Sequence, residues 1–251
     1  MKKDNLILTH SFPTNSILLR GLIEYLEDYF NVFFIDLPGF TKAVPPLKTI
    51  TLEGFYKYAS DKIEEFALDN YIIGGISFGF SILNNLNHDN KCKGILAIAP
   101  FLGRDSLRMS LPKKIAYALF IKGSRLLNLE TLLWSGSFLR TYLPKLRGYP
   151  PGAIDIMMDE IDAHTFFDTA NLLLGQDIQI IYHDTPYVLI ANEDDRSVDF
   201  QYIHKTLKKN VNRLLVVKIP LEHYPQEISK EYFTARFPQE DIRRILDFLA
   251  D

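Results

Sequence analysis

The sequence predicts an α/β fold: a mostly parallel sheet of about six strands with helices on both faces, plus a helical insertion. Three observations predict it. Short, nearly continuous apolar runs alternate with segments of helical spacing. The apolar runs lack the polar alternation of half-exposed strands, as parallel strands covered on both faces do. Finally, Tyr71-Ile72-Ile73 leads into Gly75-Ile76-Ser77-Phe78-Gly79, a G-x-S-x-G turn between a strand and a departing helix.

In chain order, strands are expected at 5–9, 31–36, 70–76, 93–99, 186–191 and 213–219, and helices near 14–29, 53–68, 78–87, 199–209 and 239–249. The last of these helices repeats Ile242, Ile245, Leu246 and Leu249 at helical spacing. Residues 101–184 read as helices broken at Gly123, Gly136, Pro144 and the stretch 149–152. The chain therefore divides into a core, 1–100 with 185–251, and an insertion, 101–184. The insertion sets Lys113, Lys114, Lys122 and Arg125 beside Ile115, Tyr117, Leu119, Phe120 and Ile121. Such a segment is either a helix with a solvated basic face or a site of transient contact with a lipid surface.

Composition narrows the function classes. A chain of 251 residues suits one α/β domain with an insertion. The net charge of −3 provides no general attraction to nucleic acid or to an anionic membrane. The single cysteine, Cys92, excludes an internal disulfide and leans towards the cytoplasm. The apolar stretch Leu6-Ile7-Leu8 after Lys2 and Lys3 is too short for a signal peptide. No run reaches the roughly 18 apolar residues of a membrane span, so a soluble protein is expected. His88, His164, His183 and His204 have no partners at metal-ligand spacing, and no phosphate or dinucleotide fingerprint is present. Neither metal nor cofactor is expected.

The chemistry centres on the glycine-flanked serine. Ser77 sits in the turn, Asp194 and Asp195 follow the strand at 186–191, and His223 follows the strand at 213–219. All emerge beyond the C-terminal ends of parallel strands, where open α/β sheets bind ligands. A serine hydroxyl attacks only when a base takes its proton, and histidine oriented by a carboxylate is suited to that task. Either aspartate is a candidate for the acid, and Ser77 Oγ is expected within hydrogen-bond reach of His223.

These fragments resemble the α/β-hydrolase fold superfamily, in particular its small lipase- and esterase-like serine hydrolases with a helical cap. His10-Ser11-Phe12-Pro13 resembles the family's H-G-F-P oxyanion loop, Asp36-Leu37-Pro38-Gly39-Phe40 its D-L-P-G turn, and Glu222-His223-Tyr224-Pro225 its G-H-F-P histidine loop. The matches span residues 6 to 225. The resemblance implies Ser77 as nucleophile and His223 as base. It favours Asp195 as the acid, because Arg196-Ser197-Val198 follows it, with Asp194 as the alternative. It implies an oxyanion hole from the backbone N–H groups of Phe12 and Phe78, whose rings would also line an apolar pocket. His10 would brace the oxyanion loop and Asp36 its own turn. The implied reaction is cleavage of carboxylic esters of small or lipid-like substrates, without cofactor. Acyl transfer, thioester cleavage, carbon–carbon bond hydrolysis and ligand binding without turnover use the same frame. Two departures stand out. The first strand matches the family's third, which leaves no room for the usual N-terminal hairpin. Ser11 replaces the loop glycine, which requires backbone angles open to a side chain.

Overall fold

The computed structural model describes residues 3–86, 90–137, 139–141, 151–175 and 184–250. Six strands form one sheet: β1 (Asp4–Thr9), β2 (Phe30–Ile35), β3 (Tyr71–Ile76), β4 (Cys92–Ile98), β5 (Tyr187–Ala191) and β6 (Leu214–Lys218). Their order is β2-β1-β3-β4-β5-β6, and every pairing is parallel. The expected strands thus appear within a residue or so of their expected ends.

Alternation along each strand separates the two faces. Leu6, Leu8, Ile72, Leu96, Val188, Ile190 and Val217 pack with α1 (Arg20–Leu26), α9 (Lys230–Arg236) and α10 (Gln239–Ala250). Ile7 and Ile73, of opposite parity, pack with α2 (Leu52–Glu65) and α3 (Phe78–Asn84). Ile95, Tyr187 and Leu189 pack with α8 (Phe200–Asn210) on that second side. Both faces are covered, which is why the strands read as continuous apolar runs. Thr51, Asp199 and Ser229 cap α2, α8 and α9, each accepting a bond from a backbone N–H three residues on.

Between β4 and β5 lie α4 (Leu111–Leu126), α5 (Glu130–Ser135), α6 (Pro151–Glu160) and α7 (Ala163–Gly175). Gly123 does not break α4, contrary to expectation. No atom lies within 4 Å of where its Cβ would be, and a single glycine costs a helix only about 1 kcal/mol. The turn comes instead at Asn128, whose φ is +52°. Gly136 does end α5, whereas the expected break at Pro144 lies outside the described residues. The helix expected at 14–29 is confined to α1. Residues 11–19 turn instead, because Asn15 uses its side chain on the Phe40 carbonyl and the Leu18 N–H. Helix α9 has no counterpart in the sequence reading.

Candidate active site

Strand β3 ends at Ser77, which turns sharply into α3. Its φ of +49° lies in the region that side chains rarely occupy, and its ψ is −111°. Two backbone bonds pin the turn: the Ser77 N–H donates to the Ile98 carbonyl (2.9 Å), and the Phe101 N–H donates to the Ser77 carbonyl (3.1 Å). The flanking glycines are sterically required. A Cβ on Gly75 would lie 2.2 Å from Phe80 Cα, and one on Gly79 would lie 2.5 Å from the His10 carbonyl oxygen.

His223 and Asp195 arrive from the loops after β6 and β5. His223 Nδ1 lies 3.0 Å from Asp195 Oδ2, and both side chains are almost fully buried. The other carboxylate oxygen accepts the N–H groups of Ser197 (2.6 Å) and Val198 (3.1 Å). Burial alone would raise the carboxyl's pKa. The hydrogen bond and charge of His223, with the two N–H donors, outweigh it and hold Asp195 below the usual carboxylate range. Asp194 is exposed and stands outside this arrangement.

Ser77 and His223 line one pocket, together with Phe12, Phe101, Met109, Tyr117, Leu173 and Tyr224. The expected direct bond is absent: Ser77 Oγ makes no hydrogen bond to His223 among the described residues. The free volume is about 30 Å³, room for a water molecule or two. Tyr117 comes from α4 and Leu173 from α7, so the helices between β4 and β5 wall this pocket.

The loop after β1 is held by His10, which is fully buried. Its Nε2 accepts the Leu37 N–H (2.9 Å), which leaves the proton on Nδ1, facing the Ser11 carbonyl at 3.0 Å. An Nε2 that accepts is unprotonated, and burial lowers the ring's pKa in the same sense, against the charge of Asp36. Ser11 is not among the non-glycine residues with positive φ, and its hydroxyl bonds Thr14 Oγ1 at 2.9 Å. A side chain is therefore accommodated where glycine was expected. Asp36 accepts both the N–H (2.8 Å) and hydroxyl (2.6 Å) of Ser16, which braces its turn. The backbone N–H groups of Phe12 and Phe78 have no partner among the described residues. Phe12 lines the pocket as expected, whereas Phe78 does not: its ring packs edge-on against Phe55 in the core, 5.6 Å between centroids.

Three residues near the site escaped the sequence reading. Arg108 Nη1 donates to the Asp195 carbonyl (2.8 Å). Tyr224 sets its ring edge-on to His223, 4.9 Å between centroids. Tyr232 donates to Glu222, next to His223 in the chain. Arg108 and Tyr232 lie in segments without a motif; only Tyr224, inside the His-Tyr-Pro loop, carried a signal.

Among the described residues, no group of three or more His, Cys, Asp and Glu side chains could hold a metal. His88 and His183 lie outside the described residues; His164 is exposed, and His204 stacks on Phe200. No helix among the described residues is long and apolar enough to cross a membrane.

No protein-family model matches the chain, and no curated protein sequence matches it. Solved structures do. An esterase from Exiguobacterium antarcticum superposes with a TM-score of 0.71 at 12% identity, covering 100% of this chain and 93% of its own. An epoxide hydrolase from Bacillus megaterium gives 0.69 at 14%, covering 100% and 94%. A hydrolase from Pseudomonas aeruginosa PA01 gives 0.69 at 14%, covering 99% and 91%. At such identities the likeness carries the architecture and not the reaction. With six parallel strands in this order and near-complete overlap with these neighbours, the chain has the α/β-hydrolase fold.

Proposed function

We propose that this protein is a serine hydrolase that cleaves carboxylic esters of small or lipid-like substrates through an acyl-enzyme on Ser77. The observation that supports this most directly is the buried hydrogen bond between Asp195 and His223, beside a strained serine in the same pocket. With Nδ1 engaged by Asp195, His223 has Nε2 left to take a proton. Ser77 Oγ attacks the ester carbonyl as His223 removes its proton. Phe12 and Phe78 N–H groups, which have no other partner among the described residues, bind the oxyanion. The tetrahedral adduct collapses, the alcohol leaves with the proton from His223, and an acyl-Ser77 ester remains. Water then attacks that ester, gives its proton to His223, and the carboxylic acid leaves as Ser77 regains its hydrogen.

The neighbours support a hydrolase in general, and the residues present support the serine mechanism in particular. A serine at the elbow suits an acyl-enzyme. Apart from Ser77, Ser197, His223 and the tyrosine hydroxyls, the pocket walls are apolar, which fits an uncharged acyl or alcohol group. Residues 101–184 act as a cap over the core in this reading, since α4 and α7 supply pocket walls. The test is a series of p-nitrophenyl esters of increasing acyl length. Turnover is expected that Ser77→Ala abolishes while the protein stays folded. Turnover that survives Ser77→Ala would refute the proposal.

A further inference from the structure

Helix α4 has two apolar faces. One is inward: Ile121 is buried, and Tyr117 and Phe120 pack against the core. The water-facing side of such a helix is normally polar. Here it carries Leu111, Ile115, Leu119 and Leu126, spaced three to four residues or their multiples apart and therefore on one face. Leu119 is 67% exposed and Leu126 82%. Leu127 and Leu132 extend the apolar surface beyond the helix end. Of the nine large apolar side chains exposed among the described residues, these are six. Single exposed leucines are ordinary; alignment on one helix face is not.

The charge of this segment is one-sided. Residues 106–129 contain five basic side chains and no acidic one, within a chain of net charge −3. Lys122 falls within the leucine stripe by helical spacing; Lys113, in the first turn, lies off the stripe and adds to the charge of the segment as a whole. Both are exposed. Neither forms an ion pair among the described residues, whereas Arg125 pairs with Asp168. Long cationic side chains beside leucines suit the boundary between acyl chains and anionic headgroups. They do not suit self-association: a two-fold pairing through this patch would set Lys122 and its neighbours against the same basic groups of the second copy.

We propose that the outer face of α4, with Leu127 and Leu132, docks on an anionic lipid surface. Docking of this kind is independent of the chemistry at Ser77. Its relation to the site is spatial: Tyr117, on the inward face of the same helix, lines the pocket that contains Ser77.

The test is sedimentation of the full chain with vesicles of phosphatidylcholine, with and without phosphatidylglycerol. The protein is expected to pellet with the anionic vesicles and to be released as salt is raised. The pair Ile115→Ser with Leu119→Ser, and the pair Lys113→Glu with Lys122→Glu, should each retain a cooperative thermal transition and lose binding. The lysine pair should lose at least about tenfold, given roughly fivefold per basic residue at such a surface. Wild-type protein that stays in solution with anionic vesicles overturns the proposal. So does equal binding to neutral vesicles, or binding that both variant pairs retain. A dimer in sedimentation velocity that Leu119→Ser dissolves would also overturn it, by assigning the patch to a second copy.

Discussion

Arg108 joins the start of the segment between β4 and β5 to the loop that bears Asp195: its Nη1 donates to the Asp195 carbonyl at 2.8 Å. Its own N–H reaches the Ser197 carbonyl (2.9 Å), and Leu107 bridges Val198 in antiparallel fashion. The carboxylate facing His223 is thus oriented partly from outside its own loop. Arg108 is a positioning residue in this account. Arg108→Ala should lower kcat on a p-nitrophenyl ester by about three- to tenfold, up to about 1.4 kcal/mol, with KM little changed. Arg108→Lys should recover part of the loss.

Asp195 and Asp194 are adjacent in sequence and opposite in environment, one buried on His223 and the other exposed. Asp195→Asn should reduce kcat by about 10³–10⁴, as loss of the correct tautomer does in serine hydrolases. Asp194→Asn should stay within about twofold, since surface substitutions rarely matter. Steady-state kinetics of the two variants separates them.

The elbow tolerates no added atom at Gly75. A Cβ there meets the backbone of Phe80 at 2.2 Å, which no rotamer change relieves. Gly75→Ala should destabilise the protein by about 1–3 kcal/mol or more, read by urea unfolding. Gly123→Ala, inside α4 with open space around it, should instead gain up to about 1 kcal/mol.

Stability should also depend on pH through His10. Its pKa is lowered in the folded protein, so between that value and 6.5 the unfolded chain binds a proton that the folded chain does not. This contribution is complete above 6.5 and is lost as pH falls towards the lowered pKa. The stabilisation from Asp195, whose pKa is also depressed, is present in full above about 3.9 and is lost only as pH falls below that, outside this window. Urea midpoints between pH 7 and pH 5 should fall in the wild type and flatten in His10→Asn.

Most of the frame was legible because buried parallel strands leave continuous apolar runs, and because the elbow glycines answer a local steric demand. Ser77, Asp195 and His223 were legible as chain-order neighbours of strand ends. Arg108 was not, because its contact to Asp195 spans 87 residues and uses a backbone carbonyl, which leaves no pattern in side-chain chemistry. The start of α1 was missed for a related reason: Asn15 and Ser16 spend their side chains on distant loops, which apolar spacing does not register. Gly123 misled because glycine weakens a helix without ending it.

The most direct test of the central claim is labelling by a fluorophosphonate probe, which reacts only with an activated serine. The account predicts that the wild-type protein is labelled and that Ser77→Ala and His223→Ala, both folded, are not. Absence of labelling in folded wild-type protein, or labelling that persists in Ser77→Ala, would contradict it.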